Sequence, residues 1–447
     1  EINGLGQNSF RIFDTTFTDG EGIIMRTLIK NGTVILSGRT EKANILIEEG
    51  IVLSTDAGPE AKADKIIDAA GLYVLPGLVD AHCHLRDPGY EYKEDIITGT
   101  RSAARGGFTS IACMPNTNPP VDNAAVVRYI IEKSRKEGHV NVFPIGAITK
   151  SLEGNELSEM GIMREAGIVA VSDDGKPVMN SDVMKKALIY AGQFGLPVIS
   201  HCEDLNLTDN GSMNEGLTST MLGLRGIPSA SEDVMVAREI LLSQYTGVPV
   251  HIAHVSTKVS VELIRQAKNR GINVTAETCP HYFTLTEEAC RDYNTNAKMN
   301  PPLRSRDDLE AVIEGLKDGT IDIIATDHAP HHFDEKNVEF EKAANGIVGF
   351  ETALALSYTE LVDKGHLSLP QMIGKLTVNP AQMLKIDKGK IECGKPADII
   401  LVDFDNEYRV DVSKFASKSK NSPFNGFKVK GKVKTTIVGG EIVYEDM

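Results

Sequence analysis

The sequence has no pair of cysteines with the spacing of a zinc finger or a disulfide framework. Its six cysteines are scattered along 447 residues without a Cys-x-x-Cys pair, which is typical of a reducing cytoplasm. No apolar run reaches the roughly 18 residues of a transmembrane helix, and the N-terminus lacks the pattern of a signal peptide. The 47 basic residues are outnumbered by 62 acidic ones, for a net charge of −15. We therefore expect a cytoplasmic protein without membrane or nucleic-acid partners.

The chain divides into a central region and two β-rich ends. Short strand patterns broken by Gly and Asn turns occupy residues 25–74 and return at 385–447, which predicts one small composite β-sandwich made from both ends. Residues 1–24 differ from the rest. Part of them (11–22) resembles the first strand of the isopropylmalate-synthase family, but Thr18 stands where that family carries arginine and nothing later continues the likeness. We interpret 1–24 as an N-terminal extension or leader.

The central region, residues 75–384, alternates short apolar strands with helical patterns. Segments such as 123–138 and 259–271 have helical periodicity and separate the strands. With the strand before His82 there are eight strand–helix units, so an α/β fold is predicted, a (β/α)8 TIM barrel. The other predicted strands are 109–115, 140–146, 168–173, 197–202, 249–255, 273–280 and 321–328.

Polar side chains follow most of the predicted strands. In a parallel barrel the carboxyl ends of all strands meet on one face, where catalytic groups lie. His82 and His84 are two positions apart on one strand and so point the same way. The residues at these ends are His82, His84, Asn116, Asp173, Asp174, His201, His254, Asp327 and His328.

Four of these histidines and two of the aspartates predict a metal centre. A single histidine at a strand end usually only forms hydrogen bonds, but joint placement of six such residues is a stronger signal. Imidazole and carboxylate suit zinc, and six ligands are too many for one tetrahedral ion. They fit two ions that share a bridging carboxylate and a hydroxide. We interpret Cys83 and Cys202 as buried apolar side chains, and His251 and His281 as structural.

At this point the motifs resemble the class I dihydroorotases of the amidohydrolase superfamily. DAHCHLRDPG (80–89) is similar to the first signature of that family, and ATDHAPHHFDEK (325–336) is similar to its second. The family's intervening motifs follow in order: MPNTNPP, VSDDGKP, SHCED, AHVST, AETCPHYFTLT and AKMNPPLR. The resemblance covers nearly the whole chain except residues 1–24.

The resemblance implies a role for each metal ligand. His82, His84 and Asp327 would bind one Zn²⁺, His201 and His254 would bind the second, and Asp174 would bridge the two together with a hydroxide. Many amidohydrolases use a carboxylated lysine as the bridge instead. The nearby lysines, Lys150 and Lys176, are not expected to take that role.

The resemblance also implies the reaction and the substrate contacts. The reaction would be the reversible cyclisation of N-carbamoyl-L-aspartate to L-dihydroorotate in pyrimidine biosynthesis, with Asp327 as the catalytic acid and base. Arg86 would bind the substrate carboxylate, as a guanidinium can in bidentate fashion. Asn345 stands where many relatives carry phenylalanine. The implied substrate-binding residues are His84, Arg86, Asn116, Asn300, His331, Asn345 and Gly346.

Other interpretations stay open at this stage. A hydantoinase or allantoinase would use the same metal chemistry on another ring, and some dihydroorotase-like chains are inactive structural partners of aspartate transcarbamoylase. Retention of all six ligand positions argues against the inactive class. The family suggests a homodimer, and an association with aspartate transcarbamoylase is a further expectation. Residues 331–344 read equally as a lid over the substrate or as a solvated charged loop.

Overall fold

The computed structural model describes residues 25–36 and 39–446, and the predicted extension at 1–24 lies outside this part of the chain. The first described strand, β1, pairs antiparallel with β2 and parallel with both β4 and β5. Gly32 is needed in β1 because a Cβ there would lie 2.4 Å from Val74 of the neighbouring strand. The strands of this region are β1 (Arg26–Leu36), β2 (Arg39–Glu48), β3 (Ile51–Ser54), β4 (Lys65–Asp68) and β5 (Tyr73–Pro76).

The central region contains two larger parallel sheets and one parallel pair, β12-β13. One larger sheet has the order β6-β7-β8, and the other has the order β16-β15-β14-β11-β10-β9. The ends of the two sheets meet: Cys83 at the end of β6 forms a parallel bridge with His328, and β8 is followed by β9 after Ile145. The strands are β6 (Leu78–Cys83), β7 (Phe108–Cys113), β8 (Asn141–Pro144), β9 (Gly146–Ala147), β10 (Val171–Ser172), β11 (Val198–Ser200), β12 (Met213–Asn214), β13 (Gly226–Ile227), β14 (Val250–Ile252), β15 (Val274–Thr278) and β16 (Ile323–Ile324).

Helices alternate with these strands, as the sequence pattern predicts. The one that follows β7 begins where the Asn123 side chain accepts from the amides of Ala125 and Val126, and it buries Val127 and Ile130. The helices are α1 (Ile96–Arg105), α2 (Ala124–Glu137), α3 (Met160–Ala166), α4 (Ser181–Gln193), α5 (Leu205–Thr208), α6 (Leu217–Leu222), α7 (Ala230–Thr246), α8 (Lys258–Asn269), α9 (Pro280–Thr284), α10 (Arg306–Asp318), α11 (Phe333–Lys336), α12 (Phe350–Ser357), α13 (Leu369–Leu376) and α14 (Val378–Met383).

The last strands of the chain join the first ones. They are β17 (Ile399–Arg409), β18 (Lys428–Val438) and β19 (Glu441–Glu445). Because β17 pairs antiparallel with β5, strands from both chain ends form one eight-stranded sheet of order β19-β18-β17-β5-β1-β2-β3, with β4 on β1. Both chain ends therefore contribute to one sheet beside the parallel strands, and the protein is of the α/β class.

A compact apolar layer lies between the parallel strands. It consists mainly of small or branched side chains that come from successive strands and the residues next to them. The polar residues that follow the same strands lie beyond this layer, so the strands present them together. Among the described residues, no helix combines the length and apolarity that a membrane crossing requires. The buried members of this layer are Ala81, Ala112, Met114, Ile145, Val169, Ala170, Ile199, Ala253, Ile323, Ala325 and Leu384.

Candidate metal centre

The six predicted metal ligands lie together at the carboxyl ends of the parallel strands, and all six are buried. His82 and His84 come from the end of β6, and their side chains face one point, as their spacing of two residues predicts. The other four follow strands elsewhere in the chain. They are Asp174 after β10, His201 after β11, His254 after β14 and Asp327 after β16.

His82, His84 and Asp327 form the first group of potential ligands. Asp327 Oδ1 lies 3.2 Å from His84 Nε2 and 3.7 Å from His82 Nε2. A tetrahedral zinc ion with bonds of about 2.0–2.1 Å holds neighbouring ligand atoms about 3.3 Å apart. His82 Nε2 is buried without a hydrogen-bond partner in the described part of the chain. These separations and this unpaired nitrogen are better explained by a bound metal ion than by a hydrogen-bond network.

The second group, His201 and His254, lies around the carboxylate of Asp174. Asp174 Oδ1 is 3.4 Å from His201 Nδ1 and 3.6 Å from His254 Nε2. The same carboxylate reaches the first group, since its Oδ1 is 3.4 Å from His82 Nε2 and its Oδ2 is 3.5 Å from His84 Nε2. Asp174 therefore lies between the two sets of histidines, where a bridging carboxylate would be needed.

The electrostatics of the cluster keep both aspartates ionised. Burial alone raises the pKa of Asp174, but His82, His201 and His254 outweigh it and hold that pKa well below its usual range. Asp327 behaves alike: burial raises its pKa, and the neighbouring histidines lower it further than burial raises it. Burial lowers the pKa of His201, yet Asp174 and Glu203 raise it to about 10. The cluster therefore attracts positive charge, and protons and metal cations compete for its side chains.

Two carboxylates that the sequence analysis did not single out orient the histidines. Glu277 Oε1 lies 2.7 Å from His82 Nδ1, and Glu203 Oε2 lies 2.9 Å from His201 Nε2. Each contact leaves the opposite ring nitrogen to face the metal site, as outer carboxylates commonly do for metal-bound histidines. A sequence signal for both was present, because Glu203 is two residues after His201 and Glu277 lies in the second half of the predicted strand 273–280.

Asn116 orients a third histidine. Its Oδ1 lies 2.8 Å from His84 Nδ1, which leaves His84 Nε2 to face the aspartates. Its amide nitrogen lies 3.4 Å from the backbone oxygen of Asp174. The structure thus brings Asn116 into the site in contact with a ligand, and its predicted contact with the substrate stays a prediction.

Arg86 lies next to the metal ligands on the loop after β6. It has a positive φ of 62°, and Gly89 allows the loop to turn because a Cβ there would lie 2.0 Å from Asn118 O. Arg86 Nε donates to Pro330 O over 3.2 Å, and Arg86 Nη2 is 3.3 Å from His331 Nε2. Its third nitrogen, Nη1, has no hydrogen bond to the described residues. This arrangement leaves a guanidinium edge for an anionic ligand.

His331 connects the guanidinium to the later loop. Its Nε2 also lies 2.7 Å from Asn345 O. Burial, followed by the charges of Arg86 and nearby lysines, lowers the pKa of His331 to about 2. His331 is therefore neutral at physiological pH, as a group that contacts the guanidinium should be.

Asn300 and Gly346 lie at the edge of the same region and form contacts within the protein. Asn300 Nδ2 donates to Glu203 Oε2 over 2.9 Å. The Gly346 amide donates to Lys298 O over 3.0 Å, and the Gly346 oxygen accepts from Lys336 Nζ and Asn421 Nδ2, each over 3.0 Å. Substrate contacts through these two residues stay predictions.

The chain is similar to known protein families and to curated relatives along most of its length. A family described as Dihydro-orotase-like matches residues 71–260, and the Amidohydrolase family matches residues 300–444. A dihydroorotase of Acetivibrio thermocellus is 63% identical over 421 residues, which is 94% of this chain and 99% of the relative. A dihydroorotase of Ruminiclostridium cellulolyticum is 60% identical over 93% of this chain and 98% of the relative.

Solved structures give a similar result at lower identity. The L-hydantoinase of Arthrobacter aurescens superimposes with a TM-score of 0.86 at 28% identity, over 94% of this chain and 96% of that one. The dihydropyrimidinase of Brevibacillus agri has a TM-score of 0.84 at 26% identity, over 94% and 95% of the two chains. The fold is thus shared with a hydantoinase and a dihydropyrimidinase, whereas the high sequence identity is to dihydroorotases.

Proposed function

Because the chain belongs to the dihydroorotase family of amidohydrolases, we propose that its metal centre interconverts N-carbamoyl-L-aspartate and L-dihydroorotate in pyrimidine biosynthesis. The observation that carries this proposal is the group of six buried ligands with the Arg86 guanidinium beside it. Such a metal centre can catalyse the hydrolysis of an amide, and the Arg86 guanidinium can pair with the carboxylate of the dihydroorotate ring. A hydantoin ring carries no such carboxylate.

The centre would hold two zinc ions. His82, His84 and Asp327 would hold one, His201 and His254 the other, and Asp174 would be shared. Support comes from ligand-atom separations of 3.2–3.7 Å around both aspartates. Zinc held by these residues would act as a Lewis acid, which would lower the pKa of a bound water towards neutrality and polarise a carbonyl oxygen.

Asp327 would move the proton in this reaction. Its contacts with His82 and His84 use Oδ1, so Oδ2 is free to accept a proton from the attacking water. In the hydrolytic direction the C–N bond of the ring amide breaks, and Asp327 delivers that proton to the departing nitrogen. A carboxylate whose pKa is held low is a weak base, so its fixed position beside the reacting atoms must compensate.

The substrate would be oriented from the side of Arg86. Its Nη1 would pair with the substrate carboxylate, while Pro330 O and His331 hold the other edge of the guanidinium in place. The predicted contacts through Asn116, Asn300 and the backbone at Asn345 and Gly346 would surround the ring. Bidentate recognition of a carboxylate favours this ring over uncharged cyclic amides.

The first test is an ultraviolet assay of the zinc-loaded protein with L-dihydroorotate, with hydantoin and allantoin as controls. Turnover of L-dihydroorotate alone is expected. Turnover of hydantoin at a similar rate would contradict the role of Arg86, and no turnover of any ring with zinc bound would favour a non-catalytic subunit.

The second test concerns the proton carrier. The variant Asp327→Asn keeps a ligand oxygen but has no carboxylate to accept the proton, so it should retain most of its zinc and lose turnover by at least 10²-fold. Metal analysis and the same assay measure both quantities. Near-normal turnover in this variant would remove Asp327 from the proton transfer.

The two parallel sheets are proposed to close into the predicted (β/α)8 barrel of residues 75–384, next to a composite domain of 25–74 and 385–447. The bridge between Cys83 and His328 supports closure on one side. On the other side, support comes from the amide of Val169, two residues before β10, which donates to Pro144 O at the end of β8 over 3.2 Å. A crystal structure would test the closure directly.

The protein is proposed to be a cytoplasmic homodimer. Six free cysteines suit a reducing compartment, and α6 exposes Leu217 and Met221 at 76% and 67%, which an interface would cover. Light scattering after size exclusion should give twice the monomer mass of 48.5 kDa. An association with aspartate transcarbamoylase is the second proposed contact, and co-elution with that enzyme tests it.

A further inference from the structure

A third group of potential ligands lies against Asp327, on the side of β15. Cys279 and His281 follow β15 directly, and each offers one donor atom that lies within 4.8 Å of the others and of an Asp327 oxygen. The three side chains are 0%, 2% and 8% exposed. The sequence analysis interpreted His281 as structural, and the structure places it beside a metal ligand.

The donors of this group are not used by other hydrogen bonds of the described residues. His281 Nε2 is buried without a partner, the Cys279 side chain makes no capping bond at the start of α9, and Asp327 uses Oδ1 for its histidine contacts. Buried polar groups are rarely left unpaired unless they serve a ligand. The unpaired imidazole is therefore the second observation, beside the clustering itself, that points to a cation.

The donor set differs in chemistry from the two groups around Asp174. Those offer nitrogen and oxygen only, whereas this one adds sulfur, and soft thiolate favours zinc or cadmium over magnesium or calcium. Zinc requires its ligand atoms about 3.3–3.6 Å apart, and donors that lie within 4.8 Å of one another can reach that spacing by small side-chain movements, which are smaller still for the larger cadmium ion.

We propose that Cys279, His281 and Asp327 form a third cation site, which takes excess zinc or cadmium and inhibits the enzyme when it is filled. Binding converts the thiol to a thiolate and releases one proton for each ion. The inhibition rests on the proposed function, because a cation on Asp327 removes the oxygen that would carry the proton. The site itself does not depend on that role.

The test is a cadmium titration of the zinc-loaded protein in a Cys393→Ser background, which removes the exposed thiol. A thiolate-to-cadmium charge-transfer band should appear and saturate at one ion per chain, because the groups around Asp174 contain no sulfur. Elemental analysis should show three metal ions per chain, and turnover of L-dihydroorotate should fall at least tenfold over the same range.

A matched pair of variants separates this site from other thiols. Cys279→Ser should lose both the band and the inhibition, whereas Cys113→Ser, a buried cysteine at the end of β7, should keep both. A band that persists in Cys279→Ser, or no band in the parent, would overturn the site. A band without inhibition would overturn the inhibitory role and also count against Asp327 as proton carrier.

A diffraction measurement keeps the proposal testable if Cys279→Ser does not fold. Wild-type crystals soaked in cadmium should show an anomalous peak between the Cys279 sulfur and the His281 ring. Peaks only at the Asp174 ligands or at surface groups would overturn the proposal.

Discussion

Glu277 is the residue whose substitution best tests how the protein prepares its metal ligands. Its carboxylate is fully buried and contacts two histidines, His82 Nδ1 at 2.7 Å and His251 Nε2 at 3.2 Å. Burial raises the pKa of Glu277, but the neighbouring His251 and His82 rings lower it to about 2. The carboxylate is therefore ionised at every pH at which the enzyme would work, and it stabilises His82 in the orientation that presents Nε2 to the metal.

The variant Glu277→Gln removes the charge and keeps an acceptor for His82 Nδ1–H. Loss of such an outer carboxylate lowers metal affinity by about 10- to 100-fold, equivalent to about 1.4–2.7 kcal/mol. Glu277→Ala should lose about 1–3 kcal/mol more, because the buried Nδ1–H of His82 then has no partner. Zinc affinity should therefore fall from wild type to Glu277→Gln, and fall further in Glu277→Ala.

Competition with a fluorescent zinc chelator at fixed pH measures this affinity without relying on turnover. Glu351→Gln is the matched control: Glu351 is also a largely buried carboxylate, but it accepts from Ser102 and from the backbone of Ala416, outside the metal centre. Zinc affinity of Glu277→Gln indistinguishable from that of wild type would refute the argument that this carboxylate orients His82 for the metal.

Three further predictions concern the substrate, a ligand contact and pH. Arg86→Met should raise KM by roughly 30- to 900-fold, from about 2–4 kcal/mol of lost charge pairing, and an unchanged KM in steady-state kinetics would place the carboxylate elsewhere. Asn116→Ala leaves His84 Nδ1 without its acceptor and should lower zinc affinity about tenfold, and wild-type affinity in the chelator assay would contradict this. Burial lowers the pKa of Lys375 from 10.5 to about 8, so between these values the unfolded chain binds more protons and wild-type stability rises with pH. Lys375→Met should remove this rise. Below pH 8 its free energy of unfolding should be higher than that of wild type by up to about 3 kcal/mol, less about 1 kcal/mol for the lost hydrogen bond to Ile321 O. Urea unfolding between pH 7 and pH 10 measures this, and the same pH dependence of stability in both proteins would contradict the shifted pKa.

Local rules account for the parts of the site that could be predicted. The spacing of His82 and His84 is a property of a single strand, since alternate residues share a face. Convergence of His201, His254 and Asp327 follows from parallel strands whose carboxyl ends meet on one side. The cap at Asn123 likewise needs only the sequence around α2.

Contacts between distant segments could not be predicted from such local rules. Glu277 reaches His82 across 195 residues of sequence, and its partner depends on the direction of a side chain inside packed strands. Glu203 was missed for a different reason: it lies only two residues from His201, but pattern alone does not separate it from the many solvated carboxylates that follow strands.

The sequence by itself determined the class of elements, the ligand types and the strands that carry them, because periodicity and residue chemistry are local properties. Only the tertiary structure decided that Asp174 contacts histidines of both sets, and that Cys279 and His281 approach Asp327. Those outcomes depend on strand register and side-chain direction across the parallel sheets, where displacement by one residue turns every side chain to the opposite face.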